Sequence, residues 1–304
     1  MNAIEIKQLY KTYDNGVEAV KGIDLTVKTG DFFALLGANG AGKSTTIGLI
    51  TTLIKKTAGS ICINNYDLDK QPDKAKSCLG LVPQEVNLNI FESCEQTLLN
   101  QAGYYGINRK KATIRAESLL DQLGLWEKRK SLARHLSGGM KRRLMIARAL
   151  VHQPSVLILD EPTAGVDIEI RRSMWSFLTN INKKGTTIIL TTHYLEEAEQ
   201  LCKHIAIIDG GQIIKNTSME SLLKSQNHQT FVFNMASPLQ VLPDLSPFSY
   251  QLINEHTFEL RIENNHTLND VFEILTKHKI NVHSLRNKTN RLEELFLDLI
   301  KNGL

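Results

Sequence analysis

With 304 residues, the chain is long enough for one large domain and a small appendage. Hydrophobic residues at 42% supply a substantial core, and charged residues at 22% are ordinary for a soluble globule. A formal net charge of +4 is too small to argue for a nucleic-acid partner, the longest apolar runs are strand-sized, and Met1-Asn2-Ala3 leads into a strand pattern without a charged-then-apolar leader.

The first elements in chain order form a β-rich layer around Ile4-Glu5-Ile6 and Ile23-Asp24-Leu25-Thr26-Val27. Asp31-Phe32-Phe33-Ala34-Leu35-Leu36 then reads as a buried strand, and residues 44–54 as a helix. Between them runs Gly37-Ala38-Asn39-Gly40-Ala41-Gly42-Lys43-Ser44-Thr45, a complete phosphate loop. Its glycines Gly37, Gly40 and Gly42 let the backbone turn and bring N–H groups onto phosphate oxygens. The helix N-terminus adds partial positive charge where the anion sits. Lys43 is expected to reach the β- and γ-phosphates of a nucleoside triphosphate, and the Ser44 hydroxyl to ligate Mg²⁺.

Residues from about 90 to 152 read as a helical insertion into the α/β core. Ala116, Leu119, Leu120 and Leu123 recur at helical spacing there, and Gly124 stops that helix. Leu136-Ser137-Gly138-Gly139-Met140 opens the next helix, which is expected to run to about His152. Ser137 caps it, and the two glycines leave backbone N–H groups uncovered, which makes a second anion site. That site lies too far in the fold to serve its own phosphate loop. Met140, Leu144, Ala147 and Val151 line one face, while Lys141, Arg142, Arg143 and Arg148 are expected to be solvated.

Val156-Leu157-Ile158-Leu159-Asp160-Glu161 is an apolar strand ending in two carboxylates, and Pro162 stops it. Asp160 is placed to hold Mg²⁺, directly or through water. Glu161 is placed to polarise the attacking water, since a general base must come within hydrogen-bond reach of its proton. A third β-branched run, Thr186-Thr187-Ile188-Ile189-Leu190-Thr191-Thr192, ends at His193. Ligands collect at the carboxyl ends of such strands, so His193 is expected to contact the γ-phosphate. The core closes with a hairpin, Ile205-Ala206-Ile207-Ile208 and Gln212-Ile213-Ile214 around Asp209-Gly210-Gly211.

Composition shifts at the polar joint Lys224-Ser225-Gln226-Asn227-His228-Gln229. Beyond it Phe258, Leu260 and Ile262 alternate with Glu259, Arg261 and Glu263, the pattern of a strand with one buried face. Leu268, Val271, Phe272 and Leu275 keep helical spacing, residues 282–285 suggest a strand, and Leu292, Leu295, Phe296 and Leu299 a final helix. The expected division is a first domain over residues 1–224 and a small α+β accessory domain over residues 229–304, which carries no catalytic constellation. Cys62, Cys78, Cys94 and Cys202 lack metal spacing and fit a reduced cytosolic protein.

Over roughly residues 3–225 these motifs, in this order, resemble those of the nucleotide-binding subunits of ATP-binding cassette (ABC) transporters. The resemblance implies an α/β P-loop NTPase cassette: a RecA-like core, a β-rich layer and a helical subdomain, with ATP and Mg²⁺ bound. It implies that Tyr13 stacks on adenine and that Ala38, Asn39, Ala41 and Thr45 complete the phosphate cradle. Gln84, in Leu81-Val82-Pro83-Gln84, senses Mg²⁺ and the partner, and Asp167 ends the D-loop. Ser137, Gly138 and Gly139 close over the ATP of a second subunit, so the resemblance implies a head-to-tail homodimer with two composite sites.

Within the family the likeness is greatest to the ABC-2 class of drug, antibiotic and polysaccharide exporters. That implies a separate integral-membrane ABC-2-type permease, docked beside Gln84 between core and helical insertion. The chain is then expected to be cytoplasmic, peripheral on the inner (plasma) membrane, with no nucleic acid. Members acting on ribosomes or DNA carry tandem cassettes, zinc modules or long coiled coils, and this sequence has none of these. Met140 stands where many members have a Gln that reaches the ribose in trans, and Met cannot make that contact. The D-loop reads Ala164-Gly165-Val166-Asp167 instead of the frequent Ser-Ala-Leu-Asp. Both variants are familiar in the ABC-2 class. With Glu161 and His193 present, two competent sites are expected. C-terminal extensions resembling Asn290-Arg291-Leu292-Glu293-Glu294-Leu295-Phe296 occur on such subunits, where dimer support, regulation and plain stabilisation are all open readings.

Overall fold

The computed structural model describes residues 1–304 except 226, 227, 240, 264, 289–291, 294, 297, 298 and 300–304. The chain forms two compact units, Met1–Ser218 and Met219–Leu304.

In the first unit, strands β1 (Asn2–Thr12) and β2 (Glu18–Lys28) bury Ile4, Ile6, Leu9, Val20, Ile23, Leu25 and Val27, while many residues between them face outward. That period of two is what a half-buried antiparallel pair requires. The next strand, β3 (Phe32–Leu36), is buried at every position and leaves this layer for a second sheet. Strands β4 (Ala58–Ile63) and β5 (Tyr66–Asp67) complete the first sheet, in the order β2-β1-β4-β5.

The second sheet adds β6 (Leu79–Val82), β7 (Val156–Asp160), β8 (Thr187–Thr191), β9 (His204–Asp209) and β10 (Gln212–Ser218), in the order β10-β9-β3-β8-β7-β6. All neighbours are parallel except the edge hairpin β9-β10. Strands β3, β7 and β8 are wholly buried, which explains their unbroken apolar runs: a parallel sheet covered on both faces has no wet side. Because they run the same way, their carboxyl ends share one edge, where residues 37, 161 and 192 begin the loops.

Helix α1 (Lys43–Ile50) follows β3. It is shorter than the periodicity predicts, because Thr52 adopts φ of +62° and the Ile54 N–H turns back to Gly48 O at 2.9 Å. Helix α2 (Pro72–Ser77) precedes β6. The helical insertion consists of α3 (Cys94–Tyr104), α4 (Arg109–Gln122) and α5 (Gly138–Leu150), which pack on one another. Ser93, Asn108 and Ser137 cap them, each side chain accepting a backbone N–H of the first turn. Helices α6 (Ile168–Lys183) and α7 (Leu195–Leu201) follow β7 and β8.

The second unit opens with α8 (Met219–Lys224) and holds β11 (His228–Met235), β12 (Ser249–Asn254), β13 (Thr257–Glu263), α9 (Leu268–Lys277) and β14 (Val282–Asn287). Its sheet is antiparallel, in the order β12-β13-β11-β14. The Phe233 and Phe258 rings stack 4.8 Å apart in its core, with Leu260, Val271 and Leu275. Phe272, expected on the buried stripe of α9, is instead 37% exposed. Leu292, Glu293, Leu295, Phe296 and Leu299 are helical. Asn290, Arg291 and Glu294 of the expected ending, and Gln226 and Asn227 of the joint, lie outside the described residues.

Candidate active site

The phosphate loop lies between the end of β3 and the start of α1, packed too tightly for side chains at two of its glycines. A Cβ on Gly37 would meet Ile208 O at 2.4 Å, and Gly42 combines φ of +111° with Ala19 O at 2.7 Å from the same position. Ala38, Asn39 and Gly40 are not buried, so the tip of the loop presents backbone to solvent, while Ala41 is buried beneath it. Lys43 reaches back over the loop, its Nζ donating to Gly37 O at 2.8 Å and Ala38 O at 3.0 Å. Burial holds its pKa below the usual lysine value, against the pull of Glu161 and Asp160. Ser44 is exposed at the helix N-terminus. Tyr13 comes to this end of the loop from the first sheet, its hydroxyl 3.4 Å from Thr45 Oγ1.

A second group gathers at the ends of β7 and β8. Thr191 Oγ1 donates to Asp160 Oδ1. Burial raises the Asp160 pKa, assisted by Glu161, while Thr191, Lys43 and Arg142 oppose the rise. A buried carboxylate in this state favours an added cation. Glu161 stands at φ +49°, a left-handed backbone conformation uncommon for a residue with a Cβ, held by its N–H to Thr191 O at 3.0 Å. Its Oε2 accepts from Gln84 Nε2 at 3.0 Å and lies 3.1 Å from His193 Nδ1. The structure thus brings Gln84, Glu161 and His193, three residues distant in sequence, onto one carboxylate oxygen.

Asp167 lies apart from this cluster and caps α6, accepting from the Ile170 N–H at 2.8 Å. Ser137 caps α5, accepting from the Met140 N–H at 3.3 Å, and Ser137 and Gly138 are exposed. Gly139 meets α6 instead: a Cβ there would come within 2.7 Å of Ile170 Cδ1. Among the described residues no hydrogen bond links residues 137–139 to the phosphate loop of the same chain.

The basic run of α5 differs from expectation. Arg142 is buried, its two terminal nitrogens donating to Pro83 O at 2.8 Å and Gln84 O at 2.7 Å. Arg148 donates to Asn87 O at 2.9 Å, and Arg143 to Leu123 O at 3.0 Å. These guanidiniums tie α5 to the chain around it, so three of the four are not a solvated face. Charge patterning cannot see carbonyls, so the sequence gives no sign of these bonds. Thr191 is equally hidden: a threonine inside an apolar run reads as β-propensity and does not reveal the acid it faces.

The residues fit a nucleoside triphosphate with a hard cation. The exposed loop backbone and Lys43 suit phosphate oxygens. The Ser44 hydroxyl, Asp160 carboxylate and Gln84 amide offer only oxygen ligands, as Mg²⁺ requires. Among the described residues no three His, Cys, Asp or Glu side chains form a ready-made metal cage.

The chain matches the family described as "ABC transporter" over residues 20–164. It is 36% identical over 288 residues to the linearmycin resistance ATP-binding protein of Bacillus subtilis (strain 168), covering 92% of this chain and 93% of that one. It is 37% identical over 247 residues to the Nod factor export ATP-binding protein I of Burkholderia pseudomallei (strain 1710b), covering 81% of each. A solved structure, a dimeric ATP-binding cassette in a post-hydrolysis state bound to ADP and Pi, superposes with a TM-score of 0.65 at 27% identity, over 71% of this chain and 98% of that one. The α/β cassette expected from sequence, a RecA-like core with a helical subdomain, is the fold observed.

Proposed function

The chain belongs to the ABC transporter family as an ATP-binding, ATP-hydrolysing cassette, and from that premise we propose that it is the energising subunit of an ABC-2-type exporter. The observation that carries the reading is the convergence of Gln84, Glu161 and His193 on one oxygen at the edge of the sheet beside the phosphate loop. In this reading Lys43 and the loop backbone of residues 37–42 hold the β- and γ-phosphates, and Tyr13 and Thr45 border the base and α-phosphate side. Ser44, Asp160 and Gln84 hold Mg²⁺, which when bound neutralises phosphate charge. Glu161 accepts the proton of the attacking water, and His193 contacts the γ-phosphate. As a general base Glu161 has to turn from Gln84 and His193 toward the attacking water.

The exposed Ser137 and Gly138 and the nearby Gly139 act on the ATP of a second copy, with Asp167 beside them, so two ATP molecules join two cassettes head to tail. ATP favours the closed dimer because it contacts both subunits only there, and hydrolysis removes that differential affinity. The dimeric cassette among the similar structures supports this. In this reading the membrane pathway belongs to a separate permease, and this chain sits against it on the cytoplasmic face of the membrane; no helix among the described residues is long and apolar enough to cross a membrane. The permease docks beside Gln84, in a cavity of about 410 Å³ lined by Leu53, Leu81, Pro83, Tyr105, Arg148 and His152. The similarity to proteins named for linearmycin resistance and Nod factor export supports export of a drug-like, lipid or saccharide substrate. Residues 229–304 act as an accessory domain.

Co-expression tests the partnership. A tagged chain produced together with an ABC-2-type permease should sediment with membranes, and produced alone should stay in the supernatant. Equal distribution in both cases would overturn the assignment.

A further inference from the structure

Glu197, on α7, is wholly buried, and none of the roles described above uses it. Its Oε1 accepts from Thr163 Oγ1 at 3.0 Å and from Trp175 Nε1 at 2.8 Å. Thr163, also wholly buried, lies two residues beyond Glu161 and opens the turn that leads to Asp167, the cap of α6. Trp175 stands about two turns further along α6. On its other side, the Glu197 N–H donates to Tyr194 O at 2.9 Å, and the Tyr194 N–H donates to Thr192 Oγ1 at 3.0 Å. The Tyr194 ring lies 4.1 Å from the His193 ring and 4.2 Å below the Arg171 guanidinium.

Such a carboxyl is a poor choice for packing alone. Burial pushes its pKa up, against the hydroxyls of Thr192 and Thr163, the Trp175 indole and Arg171, and its Oε2 lacks a hydrogen-bond partner. An apolar residue of similar volume would fill the space without that penalty. What an apolar residue could not supply is a common acceptor for the loop after β7 and for α6, on a helix bonded to the loop after β8.

We propose that Glu197 is a positioning residue for ATP hydrolysis: it joins the turn that follows Glu161 to the loop that carries His193 and to α6, holding Glu161 and His193 in register. It touches neither substrate nor metal. The inference rests on the assignment of Glu161 and His193 to hydrolysis.

Steady-state ATPase measurements on Glu197→Leu, Glu197→Gln and Thr163→Val test it, with Glu161→Gln in parallel and a fluorescent ATP analogue to count folded sites. Misplacing a catalytic group by about 1 Å costs on the order of 100-fold, so Glu197→Leu should lose about 10- to 100-fold in kcat per nucleotide-binding site. KM should stay within about twofold, because the phosphate loop on β3 and α1 is untouched. Glu197→Gln keeps the acceptor for Thr163 and Trp175 and should restore kcat to within about threefold of the parent. Should Glu197→Leu fail to bind the analogue, Thr163→Val decides, since it removes one donor at nearly constant volume and should lower kcat about fivefold or more. Parent-like kcat in Glu197→Leu or in Thr163→Val overturns the proposal, as does a loss that Glu197→Gln shares in full. If Glu161→Gln itself turns over normally, the reading of the site falls first, and this inference with it.

Discussion

Replacing Arg142 by Met separates the structure's account of α5 from the one its sequence suggests. Arg142 is 6% exposed, and its guanidinium bonds two consecutive carbonyls, Pro83 O at 2.8 Å and Gln84 O at 2.7 Å. Hydrogen bonds from a charged donor contribute about 1.5–3 kcal/mol each, a gross of about 3–6 kcal/mol for the pair. Burying the guanidinium offsets part of this, consistent with its lowered pKa, and the Met side chain still packs where the Arg stem lay. We expect a net loss of about 2–3 kcal/mol, which for a domain of this size lowers Tm by roughly 5–10 °C. Freed from its anchor, Gln84 should also hold Glu161 less well, so kcat should fall with Tm. Thermal melts of the nucleotide-free protein measure the first effect, with Lys141→Met as a partly exposed neighbour expected to change stability by less than about 0.5 kcal/mol. If both variants melt with the parent, Arg142 is solvated and the relay from α5 to Gln84 does not exist.

Further outcomes can be checked alongside. A chain ending near Lys224 should still bind ATP and lose stability or dimer persistence first; loss of nucleotide binding in a folded truncation would refute the separation of the accessory domain. Substitutions at the exposed Val86, Ile90 and Phe91 should uncouple transport while sparing basal ATPase in purified protein, whereas impaired nucleotide binding would place that segment in the active site. Because no protein cage for a metal exists among the described residues, a chelator should stop hydrolysis without lowering the Tm of nucleotide-free protein. A Tm drop on chelation would mean a structural metal. Ser137→Arg should abolish the ATP-dependent dimer by setting a bulky cation against the trans phosphate site, with ATP still bound to each monomer. A persistent dimer would remove Ser137 from the interface.

Much of this is legible in the sequence because the parallel core leaves few alternatives. Strands β3, β7 and β8 are buried on both faces, so they appear as apolar runs, and the residues at their carboxyl ends can be named from the order of amino acids alone. What is not legible depends on partners far away in the chain. Arg142 reads as one more surface cation until the carbonyls of residues 83 and 84 are brought to it. Nothing in the order of amino acids separates Glu196 from Glu197, yet Glu196 stays outside while Glu197 is buried against Thr163 and Trp175. Strand β12 carries no periodic signal because almost all its residues are exposed, so ladder bonds to β13 set its conformation and burial does not.

The most direct test of the account is Glu161→Gln, assayed for turnover and for dimerisation by size-exclusion chromatography with Mg-ATP. The substitution preserves the shape of the side chain and removes the base. General-base assistance amounts to about 10²–10⁴ in rate, so hydrolysis should nearly stop. Lys43, Ser44 and Asp160 are untouched, so ATP should still bind and the protein should accumulate as a stable ATP-bound dimer. A Glu161→Gln protein that hydrolyses ATP at the parent rate, or that stays monomeric with ATP bound, would contradict the account.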